Sequence, residues 1–464
     1  MSGSYVVRAG RVLGGLAARP SLARRERWPR ERLLALQQRR LERLVRHAAA
    51  RSPFWARRLA GALGSKGQGV DLARLPAVDK AELIAELDRA VTVPGLRRAE
   101  LDAHLAEVAD RDVLFRGRYR VLTSGGSSGR RAVFVYGPAD WRRFLAGVFR
   151  WSQLIGLHPG YPRPRVASVS APDAKHMTFR GAASIDVGLF NALRLPATLP
   201  VPALVDALES FRPTYLFAYA SMAALLAEEQ LAGRLQLSLR GLCTTSELRT
   251  PDMTERIRAA FGVAPFDCYA TTETGIAAVD CEEHAGHHIF EDLCILEPVD
   301  ARGRPVPDGQ PGEGLLLTNL CNLTQPMIRV RVDDLATVSG EPCPCGRTLR
   351  RLVGLSGRAD DVLRLPGAGA PVEVHPIHLR SPLGGLRGLA EYRIVQRRAA
   401  LELTAVPTRD ADAEALVRDA RRRLADALAR AGVSGIGVDV RLVPQLERQP
   451  GAGKLKVVQR LTDA

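Results

Sequence analysis

The sequence predicts an α/β protein: a large N-terminal domain with mostly parallel sheet flanked by helices, then a small C-terminal α+β domain. Three observations predict it. Between Arg165 and Tyr269 short apolar runs alternate with amphipathic stretches, the pattern of parallel strands joined by crossover helices and covered on both faces. After about residue 290 this gives way to short strands separated by Pro/Gly turns such as Gly303-Arg-Pro-Val-Pro-Asp-Gly309. The last hundred residues read as a separate β-α-β run. The boundary is placed between 356 and 357, giving domains 1–356 and 357–464.

In chain order, residues 1–25 hold no acidic residue and are broken up by Arg8, Arg11 and Arg19. They are read as a stretch that is either disordered or faintly like a transit peptide, and not as a secretory signal. Leu33, Leu36, Leu41, Leu44 and Val45 recur at helical spacing, so 30–62 is helical. Residues 113–122 and 132–136 are strand-like, and Phe144, Leu145, Val148, Phe149 and Leu154 mark a helix over 139–156. Strands follow at 165–170, 213–219, 239–245 and 265–269, with helices at 200–211, 221–231 and 251–261. The tail carries a strand-like run 391–406, an arginine-rich helix 410–431 and a strand 437–443.

The chain has 464 residues, of which 46% are hydrophobic and 25% charged. That composition supports a full core and excludes disorder, collagen and low complexity. No run approaches the ~18 apolar residues that span a bilayer, so no membrane insertion is expected. The formal charge is +16, and only five of the 66 basic residues are lysine: Lys66, Lys80, Lys175, Lys454 and Lys456. No nucleic-acid recognition motif accompanies that charge. A solvated amphipathic face is the reading preferred for the N-terminal arginines, and a positive surface also suits polyanionic small molecules. Seven cysteines spread from Cys243 to Cys345 form no disulfide framework, which points to a reducing, cytoplasmic setting.

Two groups of residues carry chemistry. The loop Ser124-Gly-Gly-Ser-Ser-Gly129 joins two strands, where glycines admit close backbone approach and consecutive N–H groups with serine hydroxyls can ring a phosphate. Four segments follow it in order: Tyr269-Ala-Thr-Thr-Glu-Thr-Gly275, Arg329-Val-Arg-Val-Asp-Asp-Leu335, Gly357-Arg-Ala-Asp-Asp361 and Gly451-Ala-Gly-Lys-Leu-Lys456. Cys281-Glu-Glu-His-Ala-Gly-His-His288 and Cys343-Pro-Cys-Gly346 form the second group. Three thiolates and one imidazole suit a tetrahedral structural zinc with no open position, held by Cys281, Cys343, Cys345 and a histidine. His288 is favoured, with His284 and His287 as alternatives.

With five motifs in this order, the chain resembles the adenylate-forming superfamily of acyl-CoA synthetases and adenylation domains, and within it the phenylacetate–CoA ligase branch. The resemblance covers about 30 to 460. It implies ATP- and Mg2+-dependent activation of a carboxylic acid, aromatic acids included, to an acyl-adenylate, then transfer to coenzyme A. An amine acceptor, or a repurposed nucleotide- or nucleic-acid-binding member, is the alternative, and a homodimer is left open. Residue by residue it implies that Ser124, Gly126, Ser127, Ser128 and Gly129 hold phosphates, that Thr272 meets the α-phosphate and that Glu273 holds magnesium. Tyr269 and Asp334 would face the nucleotide, Asp334 through both ribose hydroxyls. Ser246 and Glu247 would lie beside the adenine, and Arg358 would reach the nucleotide across the domain junction. Asp360 would be the hinge and Lys454 the catalytic cation, a point charge for the reacting carboxylate and α-phosphate. His176, Phe217 and Tyr219 would line the acid pocket. The chain departs from the branch at Arg130-Arg131, Ala270, Val330 and Val332.

Overall fold

The computed structural model describes residues 3–62, 69–108, 112–123, 132–171, 174–358, 362–374, 379, 381–383, 386–397, 400–448 and 455–460, with the backbone alone for 3–11, 356–358, 373 and 381. Its centre is a nine-stranded sheet. The order is Asp334–Ser339, Arg351–Arg358, His287–Ile289, Gly275–Asp280, Phe266–Thr271, Gly241–Thr245, Tyr215–Tyr219, Arg165–Ser170 and Asn191–Pro196. The five strands from Phe266–Thr271 to Asn191–Pro196 run parallel, but the sheet is antiparallel beyond them. The expectation of mostly parallel sheet therefore holds for one half. The reason is local: the turn after Thr271 is too short for a crossover, so the next strand must fold back as a hairpin.

Strand and helix positions follow the apolar pattern closely. The expected helix over 139–156 is Pro138–Leu154, with Pro138 at its first turn, and Pro251–Phe261 is capped by Thr250 and closed by Gly262 at φ +68°. Two expectations change. Residues 113–122 form a strand only at Arg120–Thr123, which pairs with Val133–Tyr136. The run 391–406 is a hairpin, Leu389–Gln396 against Ala400–Pro407, and not one strand.

The N-terminus is also corrected. Residues 3–25 form a helix, Gly3–Arg25, packed on Pro138–Leu154. A Cβ on Gly15 would run into the Phe149 ring, so this crossing admits only glycine. Arg19 donates to the Leu157 carbonyl at 3.2 Å. In the next helix, Arg30–Arg51, Leu33, Leu41, Leu44 and Val45 are buried as their spacing predicts, Leu36 is half-buried, and Ala48 joins the buried face. Several of the N-terminal arginines are only partly solvated, tied to buried carboxylates. Arg25 and Arg40 lie 3.4 and 3.7 Å from Asp292, which also takes both Arg150 guanidinium nitrogens at 2.8 and 3.1 Å. Arg30 and Arg350 close on Glu291.

Residues 294–299, 314–319, 330–332 and 78–79 make a second, four-stranded sheet. A third sheet, Gly437–Leu442, Ala400–Pro407, Leu389–Gln396 and Val458–Gln459, carries the helix Ala413–Arg430 on one face. Its core is built from residues 363–458 alone, Leu403, Leu416, Leu424 and Val458 among them. Among the described residues, no helix is long and apolar enough to cross a membrane.

Candidate functional site

In a parallel sheet, ligands bind where strands end at their carboxyl edge, above all where the strand order reverses. Here the chain runs from Arg165–Ser170 outward to Asn191–Pro196 and returns on the other side at Tyr215–Tyr219. The neighbouring carboxyl ends carry, in turn, Tyr219, Thr245-Ser246-Glu247 and Thr271-Thr272-Glu273. The fold thus places three separate sequence segments along one edge.

The Glu273 turn is held from several sides. Thr271 Oγ1 accepts from the Thr274 amide at 3.2 Å, and Gly275 turns the chain at φ +76° against the Phe144 ring. The Tyr136 hydroxyl donates to the Thr272 carbonyl at 2.7 Å, and Asn319 Nδ2 donates to the Glu273 carbonyl at 2.7 Å. The carboxylate is 4% exposed, with Lys80 Nζ at 2.6 Å from Oε1. Burial would raise its pKa, but the charge and hydrogen bond of Lys80 outweigh that and hold it below the usual carboxylate range. Lys80 is delivered by Val78–Asp79, which pairs in parallel with Val330–Val332. One of only five lysines, it carried the same signal of rarity as Lys454, and sequence reasoning passed over it; Tyr136 and Asn319 carried no signal.

The Tyr269 hydroxyl donates to Asp334 Oδ2 at 2.6 Å, and Asp334 stands opposite Arg358 in the strand register. Three of the five motif segments therefore meet. Ser246 adopts φ +67°, a left-handed conformation uncommon for serine and typical of strained functional turns. Glu247 Oε2 accepts from the Ser221 amide at 2.9 Å and Oε1 from the Leu455 amide at 3.0 Å. Arg448 joins the same junction, with Nη1 at 3.1 Å from Ser221 Oγ and Nη2 at 2.5 Å from Glu391 Oε1. Ser221, Glu391 and Arg448 were not legible in the sequence, because one more arginine and one more glutamate are unremarkable in this composition.

Of the expected pocket residues, Tyr219 closes its strand and is buried, with burial pushing its phenol up. His176 precedes the helix Met177–Ile185. Phe217 lies two residues inside its strand, edge-on to Trp151 with ring centroids 5.2 Å apart. It is half-buried and packs against the core. Ser124, Gly126, Ser127, Ser128, Gly129, Asp360 and Lys454 lie outside the described residues, as does the Arg358 side chain.

Away from this edge, the ligand atoms of Cys281, His288, Cys343 and Cys345 all lie within 4.8 Å of one another. Cys281 and Cys343 Sγ are 3.8 Å apart, and Cys345 Sγ is 3.2 Å from His288 Nε2. Thiolates bound to one tetrahedral zinc stand ~3.8 Å apart, and a thiolate and imidazole nitrogen ~3.5 Å, so the two pairs above are near that spacing and the widest of the set would close by up to about an ångström. His288 Nδ1 lies 3.3 Å from the Leu349 carbonyl, which orients Nε2 inward. His284 and His287 point elsewhere, to Asp280 at 3.0 Å and Asp267 at 3.1 Å.

No protein-family model matches the chain. It is 30% identical over 390 residues to a phenylacetate–coenzyme A ligase of Thermus thermophilus, covering 80% of each chain. The chain belongs to the phenylacetate–CoA ligase family. It is accordingly an AMP-forming acid–CoA ligase of the adenylate-forming kind. The Aromatoleum evansii phenylacetate–coenzyme A ligase is 26% identical over 382 residues, 77% of this chain and 78% of that one. In structure, this family member resembles a 2-hydroxyisobutyryl-CoA ligase at 26% identity. In the postadenylation state with 2-HIB-AMP the TM-score is 0.72, covering 95% of this chain and 92% of that one. Against the same ligase in its open conformation the TM-score is 0.61 (95% and 94% covered), and in its thioesterification state 0.58 (94% and 92%). An anthranilate CoA ligase in complex with anthranoyl-AMP shares the fold at 17% identity and TM-score 0.55, covering 72% of this chain and 64% of that one.

Proposed function

We propose that this ligase joins a carboxylic acid to coenzyme A in two half-reactions at the carboxyl edge of the parallel strands. A carboxylate oxygen of the acid forms a bond to the α-phosphorus of ATP while the bond to the bridging oxygen breaks, releasing pyrophosphate. The thiol sulfur of coenzyme A then bonds to the acyl carbon as the carbon–oxygen bond to AMP breaks, and the thiol proton passes to solvent. Such displacements need aligned oxygens and neutralised charge more than a protein nucleophile.

Asp334, oriented by Tyr269, accepts the ribose hydroxyls in this reading, and Ser246 lies by the adenine. Thr272, the loop 124–131 and Arg358 meet the phosphates, and Lys454 neutralises the reacting oxygens. Glu273 would share its carboxylate between Lys80 and a magnesium ion, which supplies positive charge across phosphate oxygens. The unit whose core spans 363–458 turns about Asp360, so that Lys454 serves the first half-reaction and withdraws for the second. Zinc on Cys281, His288, Cys343 and Cys345 ties strand-end loops together and takes no part in the chemistry.

The single observation that carries the reading is the bond from Tyr269 to Asp334, 65 residues on, at the end of the same strand whose following turn sets Glu273 against Lys80. Aromatic acids come first as substrates, because the relatives are named for phenylacetate; small hydroxy acids belong in the same panel, because the structural neighbour carries 2-HIB-AMP. The test is ATP–pyrophosphate exchange across that panel, with the adenylate and thioester detected by mass and with amines offered as competing acceptors. Adenylate and CoA thioester are expected from at least one acid. Exchange with no acid would overturn the proposal, and an amide product in place of the thioester would overturn the acceptor.

A further inference from the structure

Glu247 does more here than stand beside a nucleotide. Its two carboxylate oxygens are spent on two backbone amides from opposite sides of a junction. Ser221 N–H, at the start of the helix Ala220–Leu231, donates to one at 2.9 Å, and Leu455 N–H, from the tail, donates to the other at 3.0 Å. Hydrogen bonds from amides to a carboxylate are roughly twice as strong as neutral ones. Ser221 is engaged a second time: its hydroxyl takes Arg448, whose other nitrogen reaches Glu391. Ser221 is 3% and Glu391 8% exposed, and Leu455 is 7% exposed, so water does not compete freely for these bonds. Ser221 and Glu247 belong to the central sheet and its helices, whereas Glu391, Arg448 and Leu455 belong to the C-terminal unit. The four side chains and two amides are a clasp between the two.

A second, independent observation says which arrangement the clasp holds. Against one ligase of fixed identity and almost fixed coverage, the TM-score falls from 0.72 for the postadenylation state to 0.58 for the thioesterification state. With the same fold in both, that difference reports how the parts are placed, and this chain is placed more nearly as in the postadenylation state.

We propose that Glu247 is a positioning residue for adenylation: it fixes the tail at Leu455, and so the adjoining Lys454, in register with the carboxyl edge, with Ser221, Arg448 and Glu391 completing the clasp. This rests on the two half-reactions proposed above. The clasp forms for the first and opens for the second. A carboxylate can do this because its bonds to two amides are lost together when the tail swings away and are re-formed without rearrangement of the sheet.

The half-reactions separate this role from a merely structural one. In Glu247→Gln one oxygen becomes an amide group that faces an N–H donor, so half the clasp is lost. The kcat of ATP–pyrophosphate exchange is expected to fall roughly ten- to hundredfold, the scale of a small misplacement of a catalytic group. The KM for ATP and the transfer of a supplied acyl-adenylate to coenzyme A should stay within about twofold. Arg448→Met, which touches no nucleotide contact, should show the same selective loss at smaller size. In hydrogen exchange, the Leu455 amide should lose protection in both variants while the helix Ala413–Arg430 keeps its own. A raised KM for ATP with kcat intact would overturn the proposal in favour of a nucleotide contact. Equal losses in both half-reactions, or unchanged Leu455 protection, would overturn it as well. A wild-type chain that forms no adenylate would sink the two-step reading instead, while protection of the Leu455 amide still decides the clasp.

Discussion

Glu273 illustrates how one neighbour sets the state of a buried group. Burial favours the neutral acid; Lys80 reverses that and keeps the carboxylate ionised below the ordinary range. In Lys80→Met the largest influences opposing burial are gone and only the Glu273 amide and the Thr271 hydroxyl still oppose it, so the folded pKa rises and the carboxylate is lost sooner as pH falls. The acid limb of the ATP–pyrophosphate exchange profile should therefore move to higher pH, and an unmoved limb would show that Glu273 does not govern it. Lys454→Ala should lower exchange by about two to three powers of ten, the cost of one lost transition-state donor. Unchanged exchange in that variant would remove Lys454 from the chemistry.

The two N-terminal helices are fastened to the body by charge as well as by packing. Asp292 is fully enclosed, and burial would raise its pKa, yet Arg150, then Arg40 and Arg25, hold it at about 2, below its ordinary 3.8. A depressed folded pKa means stability that is present above the unfolded value and lost as pH falls toward the folded one. Asp292→Asn removes the main counter-charge of the buried Arg150, which keeps only Glu26 3.3 Å from its Nε, and should cost about 3–5 kcal/mol near neutral pH. Urea unfolding from pH 6 down to 2 should show the gap between wild type and variant narrowing as pH falls from 3.8 to about 2, the window between the two pKa values. A gap of constant size would assign the loss to packing. At the helix crossing, Gly15→Leu should cost about 1–3 kcal/mol by overpacking against Phe149.

At the scale of the whole molecule, the carboxyl edge and the C-terminal unit must take two relative positions for one pocket to serve two reactions. Asp360→Pro, a rigid substitute at the proposed hinge, should spare adenylate formation and damage acyl transfer. Equal damage to both would count against the rotation. Metal analysis of the purified chain should find about one zinc, the number one closed four-ligand site takes. Its removal by a chelator should lower Tm while leaving the acid preference unchanged, and a chain without zinc would reassign the cluster to buried thiols.

The sequence by itself determined the alternation of strands and helices, their places to within a few residues, and the five segments that name the family, because these depend on local periodicity and short spacing. It also supplied the four zinc-type ligands, although three histidines competed until the strand His287–Ile289 turned His288 toward the cysteines. Tertiary structure decided what rests on contacts between distant segments. The N-terminal arginines became ties to Glu291 and Asp292, Lys80 came to Glu273, Phe217 met Trp151 edge-on, and Glu247 met the tail at Leu455. Those outcomes depend on which charges and faces are brought together in space, and spacing along a chain does not encode that where sixty-one arginines leave no single one conspicuous.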